Sequence, residues 1–215
     1  MRRVRIAAGI ALWVLVSVRL ALAQDPRLAG RLDAGTLAAV QGVVDSVRPL
    51  GIPSEPLIVK ALEGASKNAT GPRIVAVVRR LSGELASALG ALGPASSTAE
   101  LVAGAAALHA GADADVLRRL RAERPRESVA VHLAVLADLI AGGAPADTAS
   151  AAVIALARTS LQDAELVAFR QSVDRDIALG APAGAAVTVR VNATARDQVL
   201  GAGASPPGPA RPRRP

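Results

Sequence analysis

His109 and His132 are the only histidines in this sequence, and general acid–base work or metal ligation near neutral pH would start from them. A metal site would need both imidazoles to converge with a carboxylate such as Asp138. They stand 23 residues apart, with no histidine pair at i,i+4 spacing on one helix face. His109 reads instead as the end of a helix beside Gly111, where the helix dipole favours an imidazolium. His132 follows the stripe Val129, Leu133, Leu136 and Ile140 and reads as a residue at the core boundary. Ser66-Lys67 has the residue types of a serine/lysine dyad, but adjacent residues on a helix face different directions, and no G-x-S-x-G frame surrounds Ser66. Asp174 and Asp176 flank Arg175, and Arg118, Arg119 and Arg121 stand near Glu123; both clusters read as solvated helix faces. The absence of cysteine excludes thiol nucleophiles, thiolate zinc sites and disulfide scaffolds. No Gly-rich phosphate loop or dinucleotide fingerprint occurs. The expectation is therefore no catalytic residue, no metal ligand and no cofactor.

Those side chains need a frame, and the composition indicates which. The chain has 215 residues, 51% hydrophobic and 20% charged, enough apolar material for one globular domain of ordinary size or two small ones. Alanine dominates, and Trp13 and Phe169 are the only aromatics. Apolar residues recur at helical spacing between short Gly, Pro, Asp and Thr clusters, so the expected fold class is all-α. A first helix follows Asp33, whose carboxylate can accept from the next turn, with Leu37, Val40, Val44 and Val47 as its buried stripe. Pro49 and Gly51 stop it. A second starts at Ser54 with Pro56 in its first turn and carries Leu57, Ile58, Ala61, Leu62 and Ala65 on one side. Glu63 and Lys67 form an i,i+4 pair on its exposed face. Thr70 opens a longer helix with the stripe Ile74, Val78, Leu81, Leu85 and Leu89, ended by Gly90 and Gly93-Pro94. Further helices are expected over 98–109, 113–121, 126–141, 147–158 and 163–179. The segment 183–196 stays open between a last helix and a short edge strand, because Val187, Val189 and Val191 alternate with Thr188 and Arg190. Leu81, Leu85, Leu133, Leu136 and Val173 are the expected core.

A faint repetition runs through these elements. Gly51-Ile52-Pro53, Gly111-Ala112-Asp113, Gly143-Ala144-Pro145 and Gly180-Ala181-Pro182 share one shape, a turn glycine followed by a helix start. Ala99-Glu100-Leu101-Val102-Ala103 also returns as Ala164-Glu165-Leu166-Val167-Ala168. Units near 32 to 37 residues built as helix, turn, helix have the size of an α-solenoid repeat; an irregular helical bundle is the alternative. The stretch from Leu32-Asp33 through Val44-Asp45-Ser46, Gly51-Ile52-Pro53-Ser54-Glu55-Pro56-Leu57 and Lys60-Ala61-Leu62-Glu63-Gly64-Ala65-Ser66-Lys67 to Arg73-Ile74 resembles a pattern of uncharacterised secreted bacterial helical proteins. That resemblance carries no activity to this chain.

The two ends differ from the body. Arg2, Arg3 and Arg5 precede the uncharged run 6–18, which is too short for a spanning helix and right for a secretory signal; Ala21-Leu22-Ala23 supplies small residues for cleavage after Ala23. An uncleaved anchor is the alternative, with Arg19 snorkelling. The net charge of +7 reflects the four arginines of this leader and Arg211, Arg213 and Arg214, leaving a neutral body. A basic groove or stacking platform for nucleic acid is thus not expected. Residues 201–215 read as a disordered Pro/Arg tail, residues 24–200 as one all-α domain with units near 51, 111, 143 and 180. The expected role is an exported, non-enzymatic helical protein of the bacterial periplasm or envelope, or a secreted one, binding a protein partner or itself. A carboxylate/His periplasmic hydrolase and a membrane-tethered spacer are the rivals, and a membrane partner is expected only if the signal stays uncleaved.

Overall fold

The computed structural model describes residues 25–203. Among the described residues nine α-helices follow one another: α1 (Ala34–Val47), α2 (Glu55–Ser66), α3 (Gly71–Leu92), α4 (Thr98–Ala110), α5 (Ala114–Glu123), α6 (Ala130–Ala141), α7 (Ala146–Ala157), α8 (Asp163–Ala178) and α9 (Ala183–Gly203). A 3-10 turn, Arg48–Leu50, follows α1, and the described residues contain no strand beyond an isolated bridge between Ala29 and Leu32. The fold is all-α. Residues 1–24, with the expected leader, and 204–215, most of the expected tail, lie outside the described residues. Helix α9 carries the chain through Gly203, three positions beyond the expected limit of the domain.

Packing follows chain order. Extensive contacts join each helix only to those one or two places away: α1, α3, α5, α7 and α9 succeed one another in one row, and α4, α6 and α8 form a second. The rows meet through α3–α4, α6–α7 and α8–α9, while α2 lies on α1 and α3. Extensive contacts are thus confined to near neighbours along the chain, a feature that α-solenoids share.

One turn geometry repeats along this stack. Gly51, Asn68, Gly111, Gly143 and Gly180 all have positive φ, from 53° to 113°. In each turn the following N–H donates to the carbonyl five residues back: Ile52 to Val47, Ala69 to Gly64, Ala112 to Ala107, Ala144 to Leu139 and Ala181 to Asp176, at 2.9 to 3.4 Å. This closure satisfies a carbonyl the helix leaves unpaired, and it needs a left-handed residue, hence glycine four times and asparagine once. After Asn68, Gly111, Gly143 and Gly180 the next helix begins three residues on. The Gly-Ala-Pro and Gly-Ala-Asp repetition in the sequence is this turn.

Starts are less regular than stops. Asp33 caps α1 as expected, accepting from Thr36 N–H at 3.0 Å and Thr36 Oγ1 at 2.6 Å. Asp113 caps α5, accepting from Asp115 N–H at 2.7 Å. Helix α4 starts at Thr98 as expected, with Ser97 as its cap, whereas Ser54 and Thr70 make no side-chain cap bond. Gly71 brings the first turn of α3 against that of α1, where a Cβ would collide with the Thr36 hydroxyl. Gly90 does not end α3, which runs two residues further to Leu92.

The core lies between the rows and centres on α6. Its His132, Leu133, Val135, Leu136, Ala137 and Leu139 are all buried, because α4, α7 and α8 enclose it. Leu85, Leu133, Leu136 and Val173 are fully buried as expected, whereas Leu81 is only half-buried at the edge of the core. In α9 Val187 is buried and Val189 is 63% exposed, which the helical 100° turn per residue produces from the same alternating valines that left a strand open.

Candidate functional site

The densest polar knot lies where α4, the end of α5 and the start of α6 meet. Ser97-Thr98-Ala99-Glu100 closes a capping box on α4: Glu100 N–H donates to Ser97 Oγ at 3.2 Å, and Ser97 N–H donates to Glu100 Oε2 at 2.8 Å. The other carboxylate oxygen leaves its own helix. It accepts from Val129 N–H, immediately before α6, at 3.1 Å, and from the Arg121 guanidinium in the last turn of α5. Arg121 also donates to the carbonyls of Arg124 and Glu127, at 3.3 and 3.0 Å, fixing the connection between α5 and α6. From that connection Arg124 donates to the Ala157 and Thr159 carbonyls at 3.3 and 3.4 Å, reaching the end of α7.

Glu100 is only 5% exposed. Burial by itself disfavours its charge, but the Ser97 and Val129 N–H groups and Arg121 outweigh burial and hold its pKa at about 2. The knot therefore contains a permanent carboxylate at neutral pH, with both oxygens engaged in helix ends. Such a group ties elements together and has no lone pair left for proton transfer.

His132 lies two residues inside α6, 1% exposed, and neither ring nitrogen has a partner among the described residues; Arg124 Nε is likewise unpaired. It is thus a core residue and not the boundary residue the sequence suggested. Burial pushes its pKa down, and the Arg124 charge acts in the same direction, against weaker opposing effects of Asp163 and Glu127. The folded ring therefore takes up its proton at lower pH than the unfolded chain, which does so near pH 6.5. Stability should then be complete above that pH and decline as pH falls below it, by up to about 1.4 kcal/mol per pH unit for this one group. In urea titrations at successive pH values, His132→Leu should flatten this slope, and at pH 8 it should stabilise by about 1 kcal/mol, since two buried nitrogens without partners are removed. An unchanged slope would assign the acid sensitivity to another group.

The remaining candidates are dispersed. His109, in the last turn of α4, faces Glu84 of α3 with Nδ1 2.8 Å from Oε1, and its side chain is 58% exposed. Asp138 pairs with Arg170 at 3.4 Å. The two imidazoles and Asp138 are not brought together, and among the described residues no group of three His, Asp or Glu side chains could hold a metal ion. Ser66 Oγ donates to the Glu63 carbonyl at 2.8 Å while Lys67 Nζ donates to the Glu63 carboxylate at 2.5 Å, so they form no dyad. Lys60 and Lys67 together lower the Glu63 pKa to about 2.

The charge clusters expected as solvated faces are partly interhelical ties. Asp174 pairs with Arg170 within α8, but Asp176 accepts two bonds of 2.6 Å from Arg190 of α9. Glu123 accepts from Arg158 at 2.9 and 2.6 Å, joining α5 to the end of α7. The sequence reading passed over Glu100 and Arg124 as site residues. The signal available was Ser97-x-x-Glu100, a capping box, and the return of its Ala-Glu-Leu-Val-Ala continuation in α8.

Comparison with protein-family models, curated proteins and solved structures gives no match to this chain. Its geometry alone then speaks for the site: a carboxylate–guanidinium knot that locks four helices of a stack. Among the described residues no helix is long and apolar enough to cross a membrane.

Proposed function

We propose that the protein is an exported, non-enzymatic helical-repeat module of the bacterial cell envelope, working through contact with a protein partner or with itself. The observation that carries this reading is the neighbour-only stacking of α1 to α9, an architecture that offers long helical faces for other chains. The repeated Ala-Glu-Leu-Val-Ala segments add to it. They place Leu101 and Leu166 in the core and leave Val102 and Val167 exposed by 41% and 38%, so the α4–α6–α8 row carries the same apolar feature twice. With Phe169 buried, aromatic anchors are missing from the described surface, and affinity for a partner should be modest. Export rests on the residues of the leader, and the resemblance over 32–74 points the same way.

The test is expression of the full chain in a bacterium. Mass spectrometry of the exported protein should find Gln24 as the first residue, and cross-linking in the periplasmic fraction should trap an assembly that Val102→Asp with Val167→Asp abolishes. A lone monomer retained in the cytoplasm would overturn both halves of the reading. Turnover of a hydrolase substrate, lost on changing His109 or Glu84, would move the protein to the enzymatic alternative.

A further inference from the structure

Lys60 and Glu63 of α2, Lys67 at its end and Arg73 of α3 have no part in the proposed role, and the fold gathers them around one cavity. It measures about 520 Å³ and lies in the elbow where α2 gives way to α3. Gly64 brings the two helices together at its floor, since a Cβ there would stand 2.8 Å from Ile74 Cγ1. The left-handed Asn68 turns the chain between Ser66 and Gly71, so the end of α2 and the first turn of α3 face the same space.

Three cations stand on the walls against one carboxylate. Glu63 accepts from Lys60 Nζ at 2.7 Å and from Lys67 Nζ at 2.5 Å, which holds both ammoniums in place. Each lysine spends one N–H on this carboxylate and keeps two. Arg73 is exposed and pairs with no carboxylate among the described residues, so its donor fork is open. Three positive charges against one negative leave an excess of two, and because the body of the protein is neutral this excess is local. Asn68 and Thr70 add an amide and a hydroxyl, and the Thr70 hydroxyl makes no cap bond to α3. Ile74 and Val77 supply an apolar floor, Val77 being 36% exposed.

A ligand matched to these walls carries about two negative charges, acceptor oxygens pointing in several directions and an apolar part. A carboxylate has one charge and two oxygens in a plane. A phosphate monoester has a charge of about −1.5 to −2 near pH 7 and three acceptor oxygens, which both lysine and arginine suit.

We propose that the elbow between α2 and α3 binds a phosphate monoester, its oxygens held by Lys60, Lys67 and Arg73 and its organic part resting on Ile74 and Val77. Glu63 positions the two lysines and makes no contact with the ligand. The site lies on other helices than Val102 and Val167, so it stands whether or not the protein assembles through them.

Phenyl phosphate is the probe, titrated calorimetrically into the full chain at low ionic strength in a phosphate-free buffer. One molecule should bind per chain, about tenfold more tightly than phenylacetate, which presents the same ring with a single charge. Lys67→Gln with Arg73→Gln should weaken phenyl phosphate by about tenfold or more. Arg79→Gln with Arg80→Gln removes the same charge further along α3, outside the cavity, and should change the affinity by less than about twofold. All four of these side chains are exposed, so folding is not at stake. Vesicles of phosphatidylcholine with phosphatidic acid separate the sources of the ester. Retention of the chain that Lys67→Gln with Arg73→Gln abolishes assigns a lipid headgroup, and binding of phenyl phosphate without such retention assigns a soluble ester; either result upholds the site. No binding of phenyl phosphate, equal binding of phenylacetate, or an equal loss in the two double variants would overturn the proposal.

Discussion

Replacing Glu100 by alanine is expected to lower the unfolding free energy by about 3 to 5 kcal/mol, the cost of breaking a buried ion pair from one side. Three groups lose their acceptor together: Arg121, Ser97 N–H and Val129 N–H at the start of α6. The same substitution at Glu165, which holds the same place on α8 but is exposed, removes one capping interaction and should cost about 1 kcal/mol. Urea titration of both variants at pH 7 gives the ratio. The effect of Glu100→Ala should also fade with acid. With the folded pKa at about 2 against about 4.5 in the unfolded chain, the carboxylate's contribution is complete above the higher value and disappears as pH falls toward the lower. Similar costs at Glu100 and Glu165 would mean that the bonds leaving α4 contribute nothing.

Leu136→Ala should cost about 2 to 5 kcal/mol, toward the upper part of that range. Leu136 is fully buried on α6, between α4, α7 and α8. The helices packed on α6 bury several alanines, Ala105 and Ala107 of α4 and Ala149 and Ala152 of α7 among them. Alanine has no rotamer with which to close a hole, so the cavity should persist. The exposed Leu179→Ala supplies the reference, with a change below about 0.5 kcal/mol. A small loss at Leu136 would show that the two rows slide together and fill the space.

The stops of the helices were legible in the sequence, because a left-handed residue followed by an apolar one is a local instruction written in Gly51, Gly111, Gly143 and Gly180. Asn68 performs the same closure, but its residue type is a weaker sign of positive φ than glycine, and the sequence reading did not single it out. The start of α6 was not legible. Helical spacing continues back to Arg126, yet the helix begins at Ala130, because Arg121 holds the Glu127 carbonyl and Glu100 holds Val129 N–H. Glu100 is 29 residues upstream of Val129, beyond any window in which periodicity operates. His132 was misplaced for a related reason. Its stripe neighbours were read properly, but the enclosure of α6 by three other helices widens the buried face to take in His132 beside Leu133, Val135 and Leu136. The candidate knot was visible as residues, in the capping box and in the arginines around Glu123, but their convergence depends on packing across the rows.

Extensive contacts that reach no further than the second helix along have a bearing on how the chain matures. A polypeptide emerging N-terminus first, from a ribosome or a translocation pore, can lock α1 as soon as α3 is out and α4 once α6 is out, while the remainder is still a thread. Assembly can advance like a zip behind the exit, and each sticky apolar face waits only for a few dozen residues before it is covered.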